Sequence, residues 1–259
     1  MFDLLIPVGE QGSALRDTLR SVQESTRQPA RVILVFDGVR VGDRAWLDQL
    51  GFDLVVLEQM PRRGITAALK AGEASLVSPF LARLDVGDTV TPRRFAVQLA
   101  SLEADPELVA VGVRTRLTFE GPSVERLSMA ADAATAARVL PLRNLFVHGS
   151  LMFRTAAFQR VGGYDPTFPT SQDYDLLLRL SATGRLLVVP EVLQTHVFRV
   201  AGSTMRKPHT QLRMSLRAKW RHFRRGSRLS PGFVAYFLRD AASLLVPAAL
   251  LARWKARAG

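Results

Sequence analysis

Apolar positions follow two different spacings between Leu4 and Val113. Leu4-Leu5-Ile6, Arg31 to Phe36, Asp53 to Leu57, Phe80 to Leu84 and Leu108 to Val113 are short aliphatic and β-branched runs between turn residues, and they read as strands. Helical spacing lies between them. Leu15, Leu19 and Val22 share a face behind a Ser13 cap, and Ile65, Ala68, Leu69 and Gly72 form a stripe of mostly small residues. Phe95, Leu99 and Leu102 follow a helix start at Thr91-Pro92. This alternation predicts an α/β fold with a mostly parallel sheet flanked by helices on both sides. In such a sheet, ligands gather outside the carboxyl ends of the strands. Asp37 and Asp85 fall at two of those ends, where the plain alternative is an acid that only makes a turn.

Beyond Val113 the pattern loosens. Gly121-Pro122, an alanine-rich helix around Met129 to Val139 and Pro141 form a long irregular insertion, a feature that usually carries function. His148 to Arg154 reads as a strand. Gln172 to Ala182 reads as a helix with Leu176, Leu177 and Leu180 on one side and Gly184 closing it. Leu186 to Val189 reads as a last short strand. The expected organisation is a catalytic body over residues 1–205 and a helical, basic extension over 206–259.

Composition narrows the function classes. The 259 residues are 47% apolar and 22% charged, which argues against disorder and fits an ordinary globular chain. Without cysteine there is no disulfide, thiol catalysis or cysteine-bound zinc, and the four histidines lack HExxH spacing. The net charge of +12 belongs wholly to the extension, which holds thirteen basic residues and a single acid, Asp240. The body is balanced, which argues against a nucleic-acid-coating protein. Arg206 to Arg228 interleaves nine basic residues with Trp220 and Phe223; Phe233 to Trp254 is then apolar except at Arg239-Asp240 and Pro247. That combination suits an anionic membrane surface. Nucleic acid is the weaker alternative, and packing on the body is the plain one. The longest apolar run, Ala241 to Ala252, is 12 residues and contains Pro247, whereas a span takes about 20. No basic leader precedes the first strand. The expected location is cytoplasmic, peripheral on the inner face of the plasma membrane.

Six segments carry a resemblance. They are Leu5-Ile6-Pro7-Val8; Val32 to Gly38, ending in Asp37; Gly64 to Gly72; Ala82-Arg83-Leu84-Asp85-Val86-Gly87-Asp88 with Pro92; His148 to Arg154 with Val161-Gly162-Gly163-Tyr164-Asp165; and Gln172-Asp173-Tyr174-Asp175-Leu176. In this order and spacing, over roughly residues 3 to 200, the chain resembles a family 2 glycosyltransferase of the GT-A fold. The resemblance implies an inverting transferase that moves a sugar from a nucleoside-diphosphate donor, UDP- or dTDP-linked by preference, to a hydroxyl of a glycan or lipid-linked acceptor. It assigns the donor to Pro7, Gly9, Asp37, Arg63, Gly64 and Asp85, with Asp37 accepting from the base. It gives a divalent cation, Mg²⁺ or Mn²⁺, to Asp85 and Asp88, the acceptor side to His148 and the general base to Asp173.

The residue chemistry agrees. A diphosphate leaving group carries dense negative charge that a hard cation stabilises, and carboxylates suit such a cation. A helix beginning near Gln172 is expected to keep Asp173 ionised, while Asp175 serves structure. Arg62 and Arg63 are candidates for the diphosphate, Arg83 for neutralising the acidic motif, and His196 and Arg199 form an imperfect version of a family element. Two departures stand out: Gly87 where the family usually has an acid, and Gly9-Glu10 where it often has an aromatic and an Asn. Two other readings stay open. One is a non-catalytic or partner-dependent subunit of the same fold. The other is a nucleotidyltransferase, although Pro7 to Gly12 lacks the basic residue of its phosphate loop.

Overall fold

The computed structural model describes residues 1–10, 12–42, 45–119, 126–198, 208–226, 230–247 and 250. Arg199, Gly121-Pro122, the start of the basic run and Trp254 lie outside the described residues. The body begins with β1 (Phe2–Val8), α1 (Ser13–Gln23), β2 (Arg31–Asp37), α2 (Ala45–Asp48), β3 (Leu54–Gln59), α3 (Ile65–Glu73), β4 (Phe80–Arg83), β5 (Thr89–Val90) and α4 (Arg94–Ala104). It continues with β6 (Leu108–Phe119), β7 (Arg126–Leu127), α5 (Ala133–Val139), β8 (Met152–Arg154), α6 (Thr155–Arg160), α7 (Gln172–Leu180) and β9 (Arg185–Phe198). Two helices follow, α8 (Pro208–Arg224) and α9 (Pro231–Ala242).

The sheet runs β3-β2-β1-β4-β8-β6-β9-β5, with β7 beside β6. The first four strands are mutually parallel, β8 runs against both of its neighbours, and β6 and β9 are parallel to each other. The predicted α/β class and mostly parallel sheet are thus what the chain forms. The central strands are buried on both faces, so alternate residues serve two cores. Leu4, Ile6, Val32, Leu34 and Phe36 pack against α1 and α4 through Leu15, Leu19, Phe95 and Leu99. Leu5, Ile33 and Val35 pack against α3, α6 and α7 through Leu69, Phe158 and Leu177. Gly72 lets α3 lie flat on the sheet, since a β-carbon there would run into Leu5.

Several boundaries differ from the sequence expectation. Ser13 is the first residue of α1 rather than its cap, and α4 starts at Arg94, behind Arg93, which makes no side-chain cap bond. Thr91 instead caps by its carbonyl, which accepts from the Arg94 amide. The alanine-rich helix is shorter than expected, capped by Asp132, whose carboxylate accepts from Thr135 N. His148 to Ser150 is a 3-10 turn, and only Met152 to Arg154 is strand. Helix α7 stops at Leu180, and Gly184 is instead a close-approach position, where a β-carbon would meet Glu107 O at 2.7 Å. The largest difference is β9, which runs on to Phe198 because it pairs with β6 on one side and with β5 on the other.

Candidate active site

Strands β1, β2 and β4 end at the same rim, because Val8 pairs with Phe36 and Leu5 with Arg83. One cluster forms at the ends of β1 and β2. Asp37 closes β2, and its two oxygens accept from the amides of Arg63 (2.6 Å) and Gly64 (2.7 Å) at the start of α3. Gly64 takes φ 93°, a left-handed conformation that suits glycine, and this aims its N–H at Asp37. The Arg62 guanidinium lies over the cluster, donating to Gly9 O at 2.6 Å and standing 3.9 Å from Asp37. Pro7 is buried in β1, opposite Val35. The expected donor residues Gly9, Asp37, Arg63 and Gly64 therefore form one hydrogen-bonded group. Within it Asp37 latches α3 to the sheet, and the Arg62 rather than the Arg63 side chain covers it.

The second cluster stands two strands away, roughly 10 Å at the usual strand spacing. Asp85 to Asp88 form a tight turn in which Asp88 N donates to Asp85 O and Gly87 takes φ 94°. An acid in place of Gly87 would be strained there. Thr18 fastens the turn: its Oγ1 donates to Asp88 O and accepts from Gly87 N, both at 2.9 Å.

Asp85 Oδ1 accepts from Arg83 Nη2 at 2.7 Å, and Arg83 is wholly buried. Burial opposes the Asp85 charge most strongly, yet the charge and hydrogen bond of Arg83 together with the neighbouring imidazoles hold the carboxyl below the usual carboxylate range. Asp88 follows the opposite course. Burial, reinforced by the Asp85 charge, pushes its carboxyl up, with His196 pulling the other way. Its Oδ1 meets His196 Nδ1 and its Oδ2 accepts from Gln194 Nε2, both at 2.7 Å. The pairing of β5 with β9 explains this, since Thr89 opposite Thr195 sets Asp88 beside the strand end that carries Gln194 and His196.

Gly149 faces both acids. A β-carbon there would stand 2.9 Å from Asp88 Oδ2 and 3.0 Å from Asp85 Oδ2. Arg94, wholly buried at the start of α4, donates to Arg83 O (2.8 Å) and to Gly149 O (3.0 Å) and so ties the acidic turn to the 3-10 turn. Gln98 continues the tie to Ser150 O and Val111 O.

His148 Nε2 pairs with Tyr164 Oη at 2.7 Å. Burial, helped by the Arg83 charge, pulls the imidazole down to about 3, so it is neutral at physiological pH. Asp173 sits in the first turn of α7, where its Oδ2 accepts from Asn144 Nδ2 at 2.8 Å. The helix amides of Tyr174 and Asp173 do favour its charge, as expected. Burial outweighs them, reinforced by the Asp85 charge, so the net displacement of Asp173 is upward rather than toward easier ionisation. Asp175 is structural: it pairs with Arg179 at 2.8 Å and with Arg221 at 3.4 Å.

Asp85, Asp88, His148 and Asp173 are thus brought into one electrostatically connected site, and Asp37 stands apart at the neighbouring strand ends. A cavity of about 200 Å³ lies between α1 and α2, lined among others by Leu15, Arg16, Phe36 and Trp46, and none of Asp85, Asp88, His148 and Asp173 lines it. Sequence reasoning missed Asn144, Gln194, Gly149 as the floor between the acids, and Arg94. Only Gln194 left a trace, two residues before His196 and so on the same strand face.

No cluster of three or more His, Asp or Glu poised for a metal occurs among the described residues. The donor set still suits a hard cation: Asp85 Oδ2 takes no hydrogen bond among the described residues and looks onto Gly149, with a second carboxylate beside it. Asp88 Oδ2 looks onto the same glycine while it accepts from Gln194, and its Oδ1 meets His196.

The model of the Glycosyl transferase family 2 matches residues 3–162. An amylovoran biosynthesis glycosyltransferase, AmsE of Erwinia amylovora, is 29% identical over 205 residues, covering 74% of each chain. Among solved structures, S. aureus TarS 1–349 in complex with UDP-GlcNAc superposes with a TM-score of 0.71 at 13% identity, covering 94% of this chain and 71% of that one. The mannosyltransferase PcManGT of Pyrobaculum calidifontis, in complex with GDP-Man and Mn²⁺, gives 0.64 at 17% identity, covering 99% and 73%. The fold is that of the GT-A glycosyltransferases.

Proposed function

The chain belongs to glycosyl transferase family 2, and on that premise we propose that it moves a sugar from a nucleoside-diphosphate donor to an acceptor hydroxyl by one displacement that inverts the anomeric carbon. The observation that carries this reading is the arrangement of the Asp85 and Asp88 carboxylates over Gly149, next to His148, with Asp173 close enough for the Asp85 charge to act on it. Asp173 takes the proton from the attacking hydroxyl. Its raised pKa makes it a stronger base than an ordinary surface carboxylate, and Asn144 fixes the oxygen that would otherwise rotate. His148 and Tyr164, bonded to each other, form a neutral wall on the acceptor side.

A divalent cation, Mg²⁺ or Mn²⁺, would be held by Asp85 Oδ2 with the donor's own diphosphate, and it would stabilise the charge of the departing nucleotide. Asp88 holds Gln194 and His196 against that position. The base and ribose lie over Gly9 and Asp37, where Arg62 offers donors to base oxygens. UDP- and dTDP-sugars remain the favoured donors, and a glycan or lipid-linked sugar at a membrane surface the acceptor. The test is a thermal-shift panel of UDP, dTDP and GDP with Mg²⁺, with Mn²⁺ and with a chelator. Stabilisation by one base, lost with the chelator, is the expected result. No response to any nucleoside diphosphate would overturn the donor reading.

A further inference from the structure

Helix α8 packs against α7 and α9 folds back along α8, with His209 Nε2 at 2.8 Å from Val246 O closing the hairpin. The facing sides of the two helices are joined by aromatic and ionic contacts. Phe233 is buried in an aromatic row from Trp220 through Phe223 to Phe237. Lys219, 2% exposed, pairs with Asp240 at 2.7 Å. Arg221 pairs with Asp165 at 2.7 Å, and Arg217 donates to Thr167 O. Much of the cationic charge of α8 is therefore spent on internal contacts.

What remains on the outside has a distinct character. Val234 and Leu238 are one turn apart on the outer face of α9 and lead to Leu245 in the turn beyond, with 41%, 61% and 88% exposure. A stripe of bare aliphatic side chains at helical spacing has no partner within the described chain. Arg213 in the first half of α8, Arg224 at its last position and Arg225 just beyond are exposed and make no ion pair among the described residues, and Trp220 is half exposed. The sequence adds Arg253, Lys255 and Arg257 with no acid after Asp240. Apolar side chains bordered by unpaired cations and an aromatic fit the boundary between acyl chains and anionic headgroups. A second copy of this chain would bring the same cations against each other. No helix among the described residues is long and apolar enough to cross a membrane.

We propose that the α8–α9 hairpin is a docking surface for an anionic phospholipid bilayer, which takes the Val234–Leu238–Leu245 stripe at its interface and the Arg213, Arg224 and Arg225 side chains at its headgroups. The proposal deepens the reading of a membrane-borne acceptor and rests on it for its purpose, though not for its geometry. Ser171, two residues before Asp173, donates its hydroxyl to Gln211 O of α8 and meets Ser215 Oγ. The docked hairpin is thereby fastened to the turn that presents the candidate base.

The experiment is sedimentation of the full chain with vesicles of phosphatidylcholine alone and of equal parts phosphatidylcholine and phosphatidylglycerol. Pelleting is expected with the mixed vesicles and is weakened by salt. Leu238→Asp lowers binding at least about tenfold by removing a buried aliphatic group. Arg224→Glu with Arg225→Glu lowers it more than about tenfold, at roughly fivefold for each cation removed. Leu245→Asp, beyond the end of α9, repeats the first result without touching the helix, and far-UV circular dichroism checks the fold of each variant. Absence of lipid-dependent pelleting, or variants that bind like the parent, would overturn the proposal. So would a lipid-free dimer that Leu238→Asp abolishes. Lipid binding that persists in a protein showing no thermal shift with UDP, dTDP or GDP would support the surface while overturning the donor reading.

Discussion

Asn144 donates from Nδ2 to Asp173 Oδ2 at 2.8 Å, while its own Oδ1 accepts from the Phe146 amide at 3.0 Å. A side chain from the loop after α5 thus fixes a carboxylate at the start of α7, and the amide that fixes it is itself held. Asp173→Asn is expected to lower transfer by roughly 10²- to 10⁴-fold, the usual scale of general-base catalysis, with nucleotide-induced thermal shifts unchanged. Equal loss of both would mean that Asp173 is a binding residue.

The same pair makes a prediction about pH. Burial raises Asp173 above its ordinary value and Asn144 works against that rise. A base is active only when deprotonated, so the acidic limb of kcat should lie at higher pH than for a surface carboxylate. Asn144→Ala removes a bond to the charged form, and the limb should move further up. A pH–rate profile of the two proteins checks the direction. An unmoved limb with lower kcat would leave Asn144 a structural part alone.

Gly149 faces both acids of the acidic turn. Gly149→Ala would set a methyl at 2.9–3.0 Å from both carboxylates, closer than β-carbons normally come. The acids must then part or the 3-10 turn must lift. The expected result is roughly tenfold weaker nucleoside diphosphate and Mn²⁺ binding by titration calorimetry. Unchanged affinity would show that the ligands do not use the space over Gly149.

These two sites show where the sequence was legible and where it was not. The β1, β2 and β4 ends could be read because short aliphatic runs stopping at Asp37 and Asp85 have little choice but to be buried strands. Helix α7 could be read from Leu176, Leu177 and Leu180. The contacts of Asp88 could not, because they depend on β9 continuing past Val189 to Gln194 and His196. That length comes from its neighbours β5 and β6 rather than from its own alternation. Asn144 lies in a loop with no period to read. Asp37 shows a different limit: its position was legible, but its occupation by the Arg63 and Gly64 amides follows from a turn geometry that sequence does not display.

Arg94 tests whether the acidic turn is built by its support. It is wholly buried, and burial pulls its guanidinium down to about 9, so it remains charged at neutral pH. Arg94→Met keeps the bulk of the side chain and leaves the carbonyls of Arg83 and Gly149 without their donor. Each unsatisfied buried group costs about 1–3 kcal/mol, so a loss of roughly 2–5 kcal/mol in chemical denaturation is expected. A loss below about 1 kcal/mol would show that the two turns hold themselves.

The attachment of α8 to the body has its own pH signature. Asp165 accepts from Arg221 Nη1 at 2.7 Å and from the Thr167 amide at 2.9 Å. Burial opposes its charge, but these bonds outweigh it and bring the carboxyl down to about 2 from its ordinary 3.8. A carboxyl depressed in the folded state stabilises fully above its unfolded value and loses that contribution as the pH falls through the folded one. The contact should therefore be intact above about pH 4 and fade toward pH 2. Both side chains are partly exposed, so the contribution is on the order of 1–2 kcal/mol after screening. Trp220, one residue from Arg221, reports the change by fluorescence. Asp165→Asn is expected to flatten the acid transition between pH 4 and 2, since its amide does not titrate. An identical transition in the variant would assign the acid response to another carboxylate, and would leave the hold on α8 to Arg217 at Thr167 and to the Ser171 contacts with Gln211 and Ser215.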